Sequence, residues 1–115
     1  MSVQNKTRGT VVAKHLLTLN SNCYSTLRLL NRRGIPRNCA LWIVPCRAIY
    51  TVGMKRPVDI AFLNPRGRVV RLFRNFPPDC LADSSSRAVS AVELAADSLQ
   101  KSETAVGDTF ELDPS

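Results

Sequence analysis

The stretch from Ala40 to Phe76, ALWIVPCRAIYTVGMKRPVDIAFLNPRGRVVRLFRNF, constrains the fold more than any other part of the chain. It holds most of the isoleucine and aromatic residues, among them Trp42, Ile43, Ile49, Ile60, Phe62, Phe73 and Phe76, cut into short runs by turns. Val58, Ile60 and Phe62 alternate with Asp59 and Ala61, the period of a strand. Asn64-Pro65-Arg66-Gly67 follows, with Asn first, Pro second and Gly fourth. Those are the preferences of a type I turn, and a Gly at positive φ there makes a bulged hairpin. Arg68–Asn75 is the expected return strand, with Arg66, Arg68, Arg71 and Arg74 turning one side toward water, and Pro77-Pro78 ends it. Ala40–Val44 is apolar in both alternating sets, which fits a strand buried on both faces. Pro45 stops its ladder because it has no N–H to donate. Arg47–Val52 reads as a further short strand, broken at Gly53.

The remainder is read outward from this stretch. Thr10–Leu19 is expected as a first strand, Ser25–Arg33 as a short helix with Ser25 at its N-cap, and Gly34-Ile35-Pro36 as its end. Residues 79–87 form a polar loop. Ala88–Leu94 is a strand, Ala95–Ser102 a short helix, and Thr109–Leu112 a last short strand after the turn Val106-Gly107-Asp108. The expectation is one domain over residues 10–112 with flexible tails at 1–9 and 113–115. Its class is mainly β, a compact β-sandwich or barrel of about six or seven short strands with one or two short helices. A chain of 115 residues buries enough surface to build a core without metal or disulfides.

Charge is unevenly placed. Residues 1–74 hold 14 Lys and Arg against one acid, Asp59, while residues 75–115 hold two bases, Arg87 and Lys101, against eight acids. Either the basic part offers a face to nucleic acid, anionic lipid or an acidic partner protein, or the acidic third folds against it and neutralises much of it. Cys23, Cys39, Cys46 and Cys80 include no C-x-x-C pair, and His15 is the one histidine, so no zinc-finger or ribbon spacing is present. The polar start and the interruption of Val11–Leu19 by Lys14 and His15 argue against a signal peptide. No apolar run nears the length of a membrane span. A cytoplasmic location with reduced thiols is the simplest expectation.

Several spaced motifs carry a resemblance. Pro45-Cys46-Arg47-Ala48-Ile49-Tyr50-Thr51-Val52-Gly53-Met54 is followed by Pro57-Val58-Asp59-Ile60-Ala61-Phe62-Leu63. Gly67-Arg68-Val69-Val70 and Asn75-Phe76-Pro77-Pro78 come next, then Ala91-Val92-Glu93-Leu94 and Val106–Leu112. In this order they resemble the domain of unknown function 192 family, DUF192, over about Val11 to Leu112. The resemblance implies a compact β-sandwich or barrel with small helices, in a family mostly bacterial and archaeal with no established activity. This chain departs from the family pattern in three places. Tyr50 stands where a His is usual, Leu27–Arg32 where a Gly-rich turn is usual, and Asn64 where an Asp is usual. With its ordinary pKa near 10, Tyr50 is a poor base at neutral pH.

The candidate site gathers Cys46, Arg47, Tyr50, Met54 and Asp59. Cys46 beside a cation reads as a thiolate nucleophile or as a buried thiol that lines a pocket. Cys46, Met54, Cys39 and His15 form a soft donor set for copper or zinc, against which stands Met54 as plain core filler. Asp59, alone in an apolar strand, is expected to pair with Arg47, Lys55, Arg56 or Arg71, or to serve as a pocket carboxylate. Arg66, Arg68, Arg71 and Arg74, with Phe73 and Phe76 for stacking, are the candidate surface for nucleic acid or an acidic partner. The function expected is a small non-enzymatic binding or accessory module with no cofactor, no metal, and an unidentified partner such as a protein. A thiol or metal site at Cys46 and the Arg hairpin are the alternatives.

Overall fold

The computed structural model describes residues 2–20, 34–84 and 87–113. Among these residues ten strands and one short helix follow in order: β1 (Ser2–Asn5), β2 (Thr10–Ala13), β3 (His15–Asn20), β4 (Cys39–Val44), β5 (Ala48–Tyr50), β6 (Val58–Leu63), β7 (Val69–Phe76), β8 (Leu81–Asp83), β9 (Ser90–Ala95), α1 (Ser98–Lys101) and β10 (Phe110–Asp113). The central layer is a five-stranded sheet in the order β3-β4-β9-β6-β7. A three-stranded sheet, β10-β1-β2, and a ribbon of β5 and β8 complete the fold. Among the described strands all pairings are antiparallel except β3 with β4. The mainly-β class holds. Among the described residues the sheets do not close into a barrel, and the strands number more than the six or seven expected.

The central sheet is covered on both faces, and this decides where the functional groups lie. On one face Ala61, Leu63, Val92 and Leu94 pack against Val3, Val12 and Phe110 of the small sheet and Leu99 of α1. On the other, Ile43, Ile60, Phe62 and Ala91 pack against Ile49, Met54 and Ala82, beneath the ribbon. Phe73 and Phe76 extend this second cluster through edge-to-face contacts, with Phe62–Phe73 centroids 6.0 Å apart and Phe73–Phe76 centroids 5.0 Å apart. Every residue of β6 is therefore buried, Asp59 included.

The hairpin behaves as its sequence dictates. The Gly67 N–H donates to the Asn64 carbonyl at 3.0 Å, and the Asn64 side-chain oxygen accepts from the N–H groups of Arg66 and Arg68. Gly67 has φ +78°, and a Cβ there would lie 2.9 Å from the Phe110 carbonyl oxygen. Both the backbone conformation and the close approach of β10 require glycine. Gly67→Ala is expected to lower stability by about 2 kcal/mol in urea unfolding; an unchanged midpoint would contradict this packing of β10 over the turn.

Three expectations need correction. Residues 2–5 are not a flexible tail: β1 pairs with both β10 and β2, and Val3 and Asn5 are fully buried. The Asn5 amide donates to Thr104 and Asp108 side chains, so the polar sequence buries by finding partners about a hundred residues away. Asp113 likewise belongs to β10, opposite Ser2. The expected strand Thr10–Leu19 is two strands in two sheets, divided at Lys14. The expected helix Ser25–Arg33 lies outside the described residues. The acidic C-terminal part does fold against the basic N-terminal part, through Arg8–Asp108 at 3.1 Å and Lys6–Glu111 at 3.9 Å.

Candidate functional site

The five residues singled out around Pro45–Met54 do not converge on one point. Cys46 is half-buried against the second apolar cluster. Its N–H donates to the Val89 carbonyl and its thiol to the Ala48 carbonyl at 3.3 Å. Burial pushes the thiol up to about 11, and the nearby Glu93 carboxylate adds to the rise. The neighbouring Arg47, exposed on the ribbon side, does not reverse this. The reading of Cys46 as a thiolate primed by a cation is thus corrected: the group is held protonated at neutral pH. Mass mapping after iodoacetamide treatment at pH 7.5 is expected to find Cys46 the least alkylated of Cys39, Cys46 and Cys80, because the thiolate is the reacting species; preferential labelling of Cys46 would contradict its thiol environment.

Tyr50 projects outward, 60% exposed, and is paired across the ribbon with Leu81, 56% exposed. Met54 is buried in the second cluster. Between them Thr51 ties the loop down. Its hydroxyl donates to the Pro77 carbonyl at 2.7 Å and accepts from the Cys80 N–H at 3.0 Å. Asp59 is fully buried on the opposite side of the sheet. Among the described residues neither an Arg nor a Lys reaches it. Its two oxygens accept backbone N–H groups, Asn75 at 2.9 Å and Leu99 at 2.9 Å. The expected ion pair is replaced by a structural clamp between β7 and α1.

The soft donor set also separates. His15 and Cys39 are register partners at the β3–β4 edge, whereas Cys46 and Met54 belong to the second cluster. Among the described residues no group of three or more His, Cys, Asp or Glu is placed to hold a metal ion. The arginine hairpin divides too. Arg71 lies over the Phe73 ring, 4.7 Å from its centroid. Arg74, on the other face of β7, donates to the Thr104 carbonyl at 2.6 Å. Phe73 and Phe76 are half-buried against the second apolar cluster.

Two features escaped the sequence reading. The first is a cleft of about 370 Å³ between Gly34–Arg37, the connection from Met54 to Val58, and the end of β9 at Ala95–Asp97. Met54, Val58, Ile35 and Ala95 supply apolar walls, while Arg37, Arg56 and Asp97 supply the charged ones. Asp97 accepts from the Asn75 side chain at 3.3 Å. Among the described residues Arg37 and Arg56 have neither an ion pair nor a hydrogen bond through their side chains. The second is Glu93 on β9, 1% exposed, with no hydrogen-bond partner for either carboxylate oxygen. Burial pushes its carboxyl up to about 7. The available sequence signal was a single charge in Ser90–Ala95, an otherwise small and apolar run. It acquires meaning only once β9 is known to lie between β4 and β6.

This arrangement of layers, together with the motifs from Pro45 to Leu112, has counterparts. The DUF192 family model (Uncharacterized ACR) matches residues 5–112. The chain belongs to the DUF192 family. A protein of unknown function from Novosphingobium aromaticivorans DSM 12444 shares the fold, with TM-score 0.77 and 15% identity over 96% of this chain and 82% of that one. A "putative transcription regulator" from Sinorhizobium meliloti 1021 does so with TM-score 0.72 and 17% identity over 84% of this chain and 79% of that one. No curated protein matches the sequence. Among the described residues no helix of this DUF192 protein is long and apolar enough to cross a membrane.

Proposed function

We propose that this DUF192 protein is a non-enzymatic binding module whose site is the cleft beside Met54, and that its ligand pairs an apolar body with an anionic group. The observation that carries this is the pair Arg37 and Arg56, cations that have no partner among the described residues and that line a cleft of mixed character beside Met54, Val58 and Ile35. Such concave sites, apolar with a few fixed polar groups, are where small ligands gain affinity. The protonated state of Cys46 supports binding over thiol chemistry. The separation of Arg71 and Arg74 onto two faces of β7 favours this reading over nucleic-acid binding, and the description of the Sinorhizobium neighbour concerns that protein alone.

Calorimetric titration with 4-ethylbenzoate and its neutral counterpart 4-ethylbenzamide tests the reading. The acid is expected to bind about tenfold more tightly at low salt, and to lose that advantage in 500 mM salt (a concentration of about that order screens exposed charges) and in the double variant Arg37→Ala, Arg56→Ala. Equal binding of acid and amide would remove the anionic requirement; no binding of either would remove the cleft.

A further inference from the structure

Glu93 is the group in the molecule whose cost is least explained. Its carboxyl lies within an apolar layer, and an unpartnered buried carboxyl costs several kcal/mol even when it stays neutral. Its position is specific. Leu41 and Ile60 face it across the two neighbouring strands, and Ala91 and Ala95, two residues to either side on β9, are small. The cleft described above has Ala95 and Val58 in its lining. A second cavity, of about 240 Å³, has Cys39 and Leu41. Ile35 lines both cavities and packs against the apolar cluster on this face. Two of Glu93's neighbours, its cross-strand partner Leu41 and Ala95 two residues along β9, therefore line different cavities; Glu93 itself lines neither and is buried beneath the apolar cluster against which Ile35 packs.

We propose that Glu93 is the inner anchor of the ligand site, accepting hydrogen bonds from an amine or amide N–H of a ligand whose apolar body lies in the cleft. This rests on the cleft reading and extends it. The ligand class becomes an apolar molecule with an anionic group at the Arg37–Arg56 rim and a hydrogen-bond donor at its far end. Among the described residues neither oxygen has a hydrogen-bond partner, and no cation offsets the burial of the carboxyl. A ligand donor satisfies both oxygens where the chain leaves them bare. Because the carboxyl is enclosed, the donor reaches it when the Ile35 side chain moves aside.

An isosteric pair of probes tests this, 4-ethylbenzoate and 4-(aminomethyl)benzoate, which differ only by methyl against ammonium at the inner end. The amine is expected to bind about tenfold more tightly than the ethyl compound to the wild-type protein. Glu93→Gln is expected to abolish that advantage, and Ile35→Ala to enlarge it by easing access. If the amine holds no advantage in either the wild-type protein or Ile35→Ala, the anchor is overturned, while 4-ethylbenzoate binding that still depends on Arg37 and Arg56 leaves the cleft reading standing. An amine advantage that survives Glu93→Gln overturns the anchor as well. If neither probe binds, both readings fall together.

Discussion

Glu93→Gln is expected to be more stable than the wild-type protein at pH 8 by about 3 kcal/mol, and no more stable at pH 4. The sign follows from linkage. Glu93 has its carboxyl raised from the ordinary 4.5 to about 7 in the folded chain. Below the unfolded value both states carry the proton, and its contribution to stability is fully present. As pH rises past 4.5 the unfolded chain releases the proton and the folded chain keeps it, so stability falls. The fall is complete once the folded chain ionises near 7. At about 1.4 kcal/mol for each pH unit of that window, the loss is about 3 kcal/mol. Gln has the shape of the protonated acid and cannot ionise, so its variant escapes the loss. Urea unfolding of both proteins at pH 4, 5.5 and 8 measures it. Other carboxyls titrate alike in the two proteins, and the difference isolates Glu93. A difference that stays constant over this range would show that Glu93 is not a buried neutral acid.

The second large effect is at Asp59. Asp59→Ala is expected to cost about 4 kcal/mol, because it leaves two N–H groups, those of Asn75 and Leu99, without an acceptor in the interior. Both sit at places that local sequence does not stabilise. Asn75 has φ 51° beside an irregularity in the β6–β7 register. In α1 the N-cap residue Asp97 has φ 73° and makes no side-chain cap bond, so Asp59 caps this short helix from another strand. Asp59→Asn keeps an acceptor for one of the two donors and is expected to cost roughly half as much. Urea midpoints for the two variants check the order. Equal, small losses from both would mean that the clamp contributes little and that packing alone holds α1 in place.

Those two acids show where the sequence stops being legible. The hairpin at Asn64–Gly67 was readable because turn chemistry is local. Four residues specify the turn, the bulge and the glycine. The same holds for Ala40–Val44, whose apolar character in both alternating sets announced a strand covered on two sides. Asp59 and Glu93 occur in strands of the same two-sided kind, yet a lone acid among apolar neighbours does not by itself tell a buried group from an outward-facing one. Sheet order decides it, because β9 and β6 are interior strands with a layer on each face. Sheet order depends on contacts distant in sequence. The N-terminal strand was missed for the same reason: nothing in Ser2–Asn5 is strongly apolar except Val3, and its partners lie at Phe110–Asp113. At the site, Met54 was legible as a contributor, while Arg37, Arg56 and Ala95 are brought together only by the fold.

The central claim is that the cleft beside Met54 takes an anionic ligand through Arg37 and Arg56. Methyl NMR of the protein labelled at methionine reports on it directly, since Met54 lines the cleft and Met1 is the only other methionine. Titration with 4-ethylbenzoate is expected to shift the Met54 methyl resonance to saturation in the wild-type protein and to leave it nearly unmoved in the Arg37→Ala, Arg56→Ala double variant. A Met54 resonance that stays in place in the wild-type protein, or that moves equally in the double variant, would contradict the account.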